Sequence, residues 1–130
     1  MVNDNFRKIV LDSEKEIVMG RNSEQNDLLV ETSKRNDVLL HTQEPGSSFI
    51  NLGDKPTTEE VKEGAIFCAL KSQDFRDNGG DVKVNVFKKS DCFKSGEMKS
   101  GTWGVKKYND TIKVNKLDIL RLQHELNSEE

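Results

Sequence analysis

Two short β-branched runs, RKIVLD from Arg7 and KEIVMG from Lys15, stand on either side of Ser13 and Glu14. Runs of that kind parted by a polar pair predict a β-hairpin, and Gly20 then releases the backbone into a turn. From Ser23, SEQNDLLVETSK opens on a hydroxyl, with Glu24 in its first turn and Lys34 near its end. Such a start, with charges matched to the helix dipole, predicts a short helix. DVLLHTQEPGSSFINLG reads as two strands around EPGS, because Pro45 presets φ at one central turn position and Gly46 accepts a positive φ at the next.

After Pro56, TTEEVKEGAIFCALKSQDF places Thr57 three residues before Glu60, a capping box, and puts Val61, Ala65, Cys68 and Ala69 on one face of a core helix. DNGGD at 77–81 ends that helix. VKVNVFKKS follows with Val82, Val84 and Val86 at period two, a half-buried strand whose lysines take the other face. TWGVKKYNDTIKVNKLDIL predicts a hairpin around YND and then a short C-terminal helix from about Asp118, with NSEE frayed at the end. The order β-β-α-β-β-α-β-β-β lacks regular βαβ alternation, so the expected fold is α+β with a largely antiparallel sheet. Residues 1–130 are expected to form a single domain with its core at about 6–120.

Composition narrows the setting. No run approaches the roughly 18 apolar residues of a membrane span, and MVNDNFRK lacks the apolar stretch of a signal peptide. Cys68 and Cys92 are the two thiols, without C-x-x-C spacing, which suits a reducing, cytoplasmic setting better than a structural disulfide. Net charge is −3, a weak argument against a polyanionic partner taken alone. Its distribution is lopsided: residues 83–116 carry nine lysines against Asp91, Glu97 and Asp110, a local balance of +6.

Phosphate-loop, dinucleotide and His-Glu-x-x-His signatures are missing, and two histidines supply little for a metal site; neither cofactor nor metal is expected. His41 alternates with apolar neighbours, which favours a structural or binding role over catalysis, and His124 lies near the chain end. Hydrolysis at His41 with a carboxylate such as Asp37 lacks a supporting motif. Cys68 belongs to an apolar helix face, and Cys92 has no evident base. The segment FKKSDCFKSGEMKSGTWGVKKY is more informative. It interleaves Phe87, Phe93, Trp103 and Tyr108 with Lys88, Lys89, Lys94, Lys99, Lys106 and Lys107, a mixture suited to phosphate contact and base stacking. A solvated sheet face with inward aromatics is the plainer alternative.

GRNSEQND, NDVLLHTQEPGSSFI, EGAIFCAL, VKVNVF and KSGEMKSGTWGV, in that order, resemble the NFACT-R domain, the carboxy-terminal RNA-binding module of fibronectin-binding-protein-like and ribosome quality-control proteins. The resemblance spans roughly 16–116, and its most specific part is Gly20, Arg21, Asn22, Gln25, Asn26 and Asp27. Pro45, Gly46 and Ser47 match a second motif. The chain departs from the pattern where Leu39 and Leu40 precede His41 in place of an aromatic, where Ser48 replaces a second histidine, and where the glycine-lysine loop is one residue longer. The chain is similar to short stand-alone members. The resemblance implies a non-enzymatic module that binds RNA, such as rRNA or tRNA, or the large ribosomal subunit, in translation quality control. Its expected contacts are Arg21, His41, Lys88, Lys89, Lys94, Lys99, Trp103, Lys106 and Lys107. The alternative is a module that docks a protein partner; no membrane is implied.

Overall fold

The structure, a computed structural model, describes residues 5–128. β1 (Arg7–Val10) and β2 (Glu16–Met19) form the expected hairpin, with Ile9 opposite Ile17. α1 (Ser23–Thr32) follows, then β3 (Asp37–Thr42) and β4 (Ile50–Asp54), joined through a turn in which Gly46 holds the positive φ expected of it, 91°. α2 (Thr58–Leu70), α3 (Gln73–Asn78), β5 (Val82–Lys88), β6 (Cys92–Phe93), β7 (Gly104–Val105), β8 (Asp110–Val114) and α4 (Lys116–Ser128) complete the chain. Six strands make one antiparallel sheet in the order β1-β2-β4-β3-β5-β8, and β6 pairs with β7 in a separate ribbon. The protein is an α+β fold with a mostly antiparallel sheet.

Several elements differ from expectation, each for a local reason. The helix read through to Phe75 is two. Ser72 interrupts it, donating its hydroxyl to the Ala69 carbonyl at 2.6 Å while accepting from the Phe75 amide at 3.1 Å, so it caps a new helix. No hairpin forms around YND. Gly104 and Val105 pair with Cys92 and Phe93, while β8 takes the free edge of β5, with Ile112 opposite Val84 and Val114 opposite Val82. The terminal helix starts two residues earlier than expected, where Asp81 accepts from the Lys116 amide at 2.8 Å. Asn127 and Ser128, read as frayed, are helical; Glu129 and Glu130 lie outside the described residues.

The sheet is covered on both sides. On one, Leu40, Ile50, Leu52 and the three valines of β5 pack against Ala65, Cys68 and Ala69 of α2 and Ile119 of α4. Small residues on α2 let that helix lie close to the strands, and the capping box expected at Thr57 and Glu60 fixes its start. On the other, Leu39, Phe49 and Phe87 meet Leu29 and Val30 of α1, with Trp103 and Val105 of the ribbon region packed alongside. β5 is therefore buried on both faces: Phe87 and Asn85, at 1% and 8% exposure, occupy the side expected to carry lysines. Leu39 and Leu40 fill opposite cores because successive strand side chains alternate. Each large aliphatic side chain buried this way contributes about 1.5–3 kcal/mol relative to exposure.

Candidate nucleic-acid interface

The run from Gly20 to Asp27 forms the β2–α1 junction, and most of its polar side chains are committed there. Asn22, not Ser23, caps α1, its Oδ1 accepting from the Gln25 amide at 2.9 Å. Gln25 Oε1 in turn accepts from the Arg21 amide at 2.9 Å. Asn26 is 8% exposed, and its Oδ1 accepts from the Phe49 amide at 3.1 Å, tying the helix to β4. A Cβ on residue 20 would sit 2.2 Å from that same Oδ1, so this approach of α1 requires glycine. Arg21 is the exception. It is exposed, and its guanidinium has no hydrogen bond or ion pair among the described residues.

Asp27 gathers the 94–103 loop onto α1. Its carboxylate accepts from Lys94 Nζ at 3.0 Å, the Gly101 amide at 2.9 Å, Trp103 Nε1 at 2.9 Å and Ser100 Oγ at 3.1 Å. Burial alone would raise this carboxyl, but the donors from Lys94, Gly101, Trp103 and Ser100 together hold it below the ordinary carboxylate range. The Lys94 ammonium also donates to the Lys99 and Thr102 carbonyls, at 2.8 and 2.7 Å, and lies 5.4 Å from the Trp103 ring centroid. Its three protons are thus spoken for by Asp27 of α1 and two carbonyls of the loop. Gly101 has φ +83°, and a Cβ there would meet Ser23 Cβ at 2.8 Å, so the loop lies against the first turn of α1.

Between this latched loop, the Pro45–Ser48 turn and the sheet lies a cleft of about 560 Å³. Arg21, Lys71 and Arg76 bring positive charge to its wall, and among the described residues no aspartate or glutamate lines it. Its floor is a run of rings: His41 to Phe49 at 4.5 Å between centroids, Phe49 to Phe87 at 6.2 Å, and Phe87 to Tyr108 at 5.9 Å. His41 Nδ1 meets the Thr42 carbonyl at 2.8 Å, so that nitrogen is the protonated one in the neutral ring. Burial lowers the imidazole's pKa, the Thr42 and Ser47 carbonyls oppose it, and the net position is below the ordinary value, leaving the ring neutral at pH 7. Ser47 Oγ accepts from the Thr42 amide at 3.1 Å, and the Gly46 carbonyl from the Gln73 amide at 2.8 Å, which fixes the turn to β3 and α3.

The residues expected to contact RNA fall into three groups. Arg21, His41 and Trp103 line the cleft. Lys88, Lys99, Lys106 and Lys107 are exposed and lack a side-chain partner among the described residues. Lys94 and Lys89 are turned inward: Lys89 Nζ donates to the Glu31 and Ser33 carbonyls, each at 3.1 Å, and so closes the C-terminal end of α1. Phe93 lies over Gly104 in the ribbon rather than in the cleft. Lys71, Arg76 and Asn85 line the cleft and were not among the expected contacts. Asn85 had a signal, an amide in the middle of a valine strand; the two cations had none, since they arise from the break at Ser72.

His41 and Asp37 do not meet. Asp37 accepts from the Lys34 amide at 2.8 Å and from Asn51, and lies four strand residues from His41, about 13 Å along β3. Cys68 and Cys92 are both free thiols, pushed by burial up to about 12 and about 11. Among the described residues no cluster suits a metal ion, and no helix is long and apolar enough to cross a membrane.

Residues 6–107 match the family described as the NFACT protein RNA binding domain. The chain belongs to this family. The NFACT RNA-binding domain accounts for most of the sheet, for α1 to α3 and for the latched loop, while β8 and α4 follow the matched span. The fold is similar to that of the C-terminal of the fibronectin/fibrinogen-binding protein from Streptococcus suis, at 23% identity and a TM-score of 0.73, over 85% of this chain and 44% of that one. The chain thus spans less than half of that solved structure, and the likeness is one of fold. Among curated proteins, none is matched.

Proposed function

We propose that this NFACT RNA-binding domain is a non-enzymatic module that holds RNA across the cleft and the lysine-bearing rim beside it, and that it serves ribosome-linked translation quality control in the cytoplasm. The observation that carries the binding mode is the cleft itself: aromatic floor, three cations and, among the described residues, no carboxylate in its wall, in a chain of net charge −3. Phosphates favour such a site, and aromatic rings offer stacking to bases. Lys99, Lys106 and Lys107, whose ammonium groups are exposed and have no partner among the described residues, supply the salt-dependent part of the affinity. The link to ribosomes follows the resemblance to ribosome quality-control proteins, and the free thiols suit a reducing compartment.

An RNA titration at two salt concentrations tests this, with the natural protein beside a Lys99→Glu, Lys106→Glu, Lys107→Glu variant. Each phosphate that the variant no longer neutralises should lower the slope of log affinity on log salt by about 0.7–0.9. Equal affinity and slope for the two proteins would remove the rim from the binding surface.

A further inference from the structure

Resting on the RNA-binding reading, we infer that the cleft receives an unpaired nucleotide, so that this domain selects looped or single-stranded segments over continuous duplex. Three features at one place support this. The first is depth. At about 560 Å³ the cleft lies within the range of sites that enclose small ligands, roughly 300–1,000 Å³. A base held in an A-form duplex cannot enter it, because paired bases are stacked inside the helix and only backbone and groove edges would meet the rim.

The second is a recessed polar group. β3, β5 and β8 align His41, Asn85 and Thr111 in one row across the sheet. Thr111 Oγ1 donates to Asn85 Oδ1 at 2.8 Å, which orients the amide. Asn85 is only 8% exposed, yet its amide nitrogen has no partner among the described residues, and no fully buried side-chain nitrogen or oxygen there lacks one. That nitrogen therefore reaches solvent, and the cleft that Asn85 lines is where it does so. A donor at that depth suits the carbonyl or ring-nitrogen edge of a base.

The third is the platform. Tyr108 is 51% exposed and held edge-on against Phe87 at 84°, which fixes its ring at the mouth of the cleft. Phe49 and Phe87 are too deeply buried to stack on a ligand, whereas Tyr108 is the most exposed ring of the cleft, more so than half-buried His41 and Trp103, and so offers the stacking surface, with Asn85 reading the base edge and Arg21 and Arg76 taking the flanking phosphates.

The test compares three RNAs by fluorescence anisotropy: a hairpin with an unpaired loop, the same hairpin with loop bases removed but phosphates kept, and a continuous duplex of equal phosphate count. Trp103, the sole tryptophan, lines the cleft and reports its occupancy. The looped RNA should bind roughly tenfold or more tighter than the other two and should quench Trp103. Tyr108→Ala and Asn85→Ala, checked for folding by circular dichroism, should lower its affinity toward that of the duplex. Equal affinity for all three RNAs would overturn the inference and leave the RNA-binding reading intact, whereas no binding to any would overturn both. A nucleoside monophosphate binding as tightly as the hairpin would overturn the inference in favour of a free nucleotide.

Discussion

The two faces of the sheet are closed by different means. The α2–α4 face is closed mainly by volume: Leu40, Ile50, Leu52 and the β5 valines meet small residues of α2, and its polar ties, Ser13 and the Asp12 amide to Glu60 and Glu63 of α2, lie at the margin. The α1 face has a smaller apolar cluster, and a web of directed hydrogen bonds from Asn22, Gln25, Asn26 and Asp27 completes it. Close-packed side chains interdigitate inside that α2–α4 face, and the groove of about 460 Å³ left at its margin, between β1, α2 and α4, carries Asp12, Glu63 and Glu125 among its lining. Hydrogen bonds can span a gap, and here they hold a loop above the sheet with a cleft beneath. The Gly20–Asp27 run thus builds the site mainly by holding backbone, and it leaves one member, Arg21, exposed on the cleft wall.

Breaking each face separately should give different signatures. Leu40→Ala, at a site with no exposure, should lower global stability by about 2–5 kcal/mol, read in a urea melt, while Trp103 emission of the folded protein stays unchanged. Asp27→Ala should cost less, about 1–3 kcal/mol, because it strips four donors of their acceptor. Its distinctive result is a red-shifted Trp103 emission with secondary structure retained. Unshifted emission would mean that the loop is held by something other than this carboxylate.

Acid should act on the site face first. His41 has a folded pKa below its unfolded one, so the unfolded chain binds more protons as pH falls through about 6.5, and stability declines from there downward. Asp27 behaves as a depressed carboxyl: its contribution is present above about pH 4 and is lost as pH falls through its folded value. Urea melts between pH 7 and 5 should slope in the natural protein and flatten in His41→Gln. The smallest expected effect belongs to Lys89→Met, about 0.3–1 kcal/mol from removing the ammonium that caps the end of α1. RNA affinity and its salt slope should be unchanged in that variant, unlike in a Lys106 substitution.

What could be read along the chain was what is local. The Thr57–Glu60 capping box, the Pro45–Gly46 turn and the period-two valines each involve neighbours within a few residues, and each is in place. Pairings set by distant partners were not visible. β8 joins β5 across more than twenty residues, and nothing in YND distinguishes that edge from a hairpin partner. The lysines divide for the same reason: Lys89 reaches carbonyls more than fifty residues away, and Lys94 a carboxylate 67 residues away, so lysines alike in sequence have opposite fates. Ser72 could have been noticed as a cap, but its neighbours are equally compatible with one continuous helix.

The central claim is that the Gly20–Asp27 junction builds the cleft and leaves Arg21 as its partner-facing cation. An RNA titration of Arg21→Ala, with Trp103 emission and thermal stability followed on the same samples, tests it most directly. Natural emission and stability with weakened RNA binding and a shallower salt slope is the predicted result. A normally folded Arg21→Ala protein that binds RNA with undiminished affinity would contradict it.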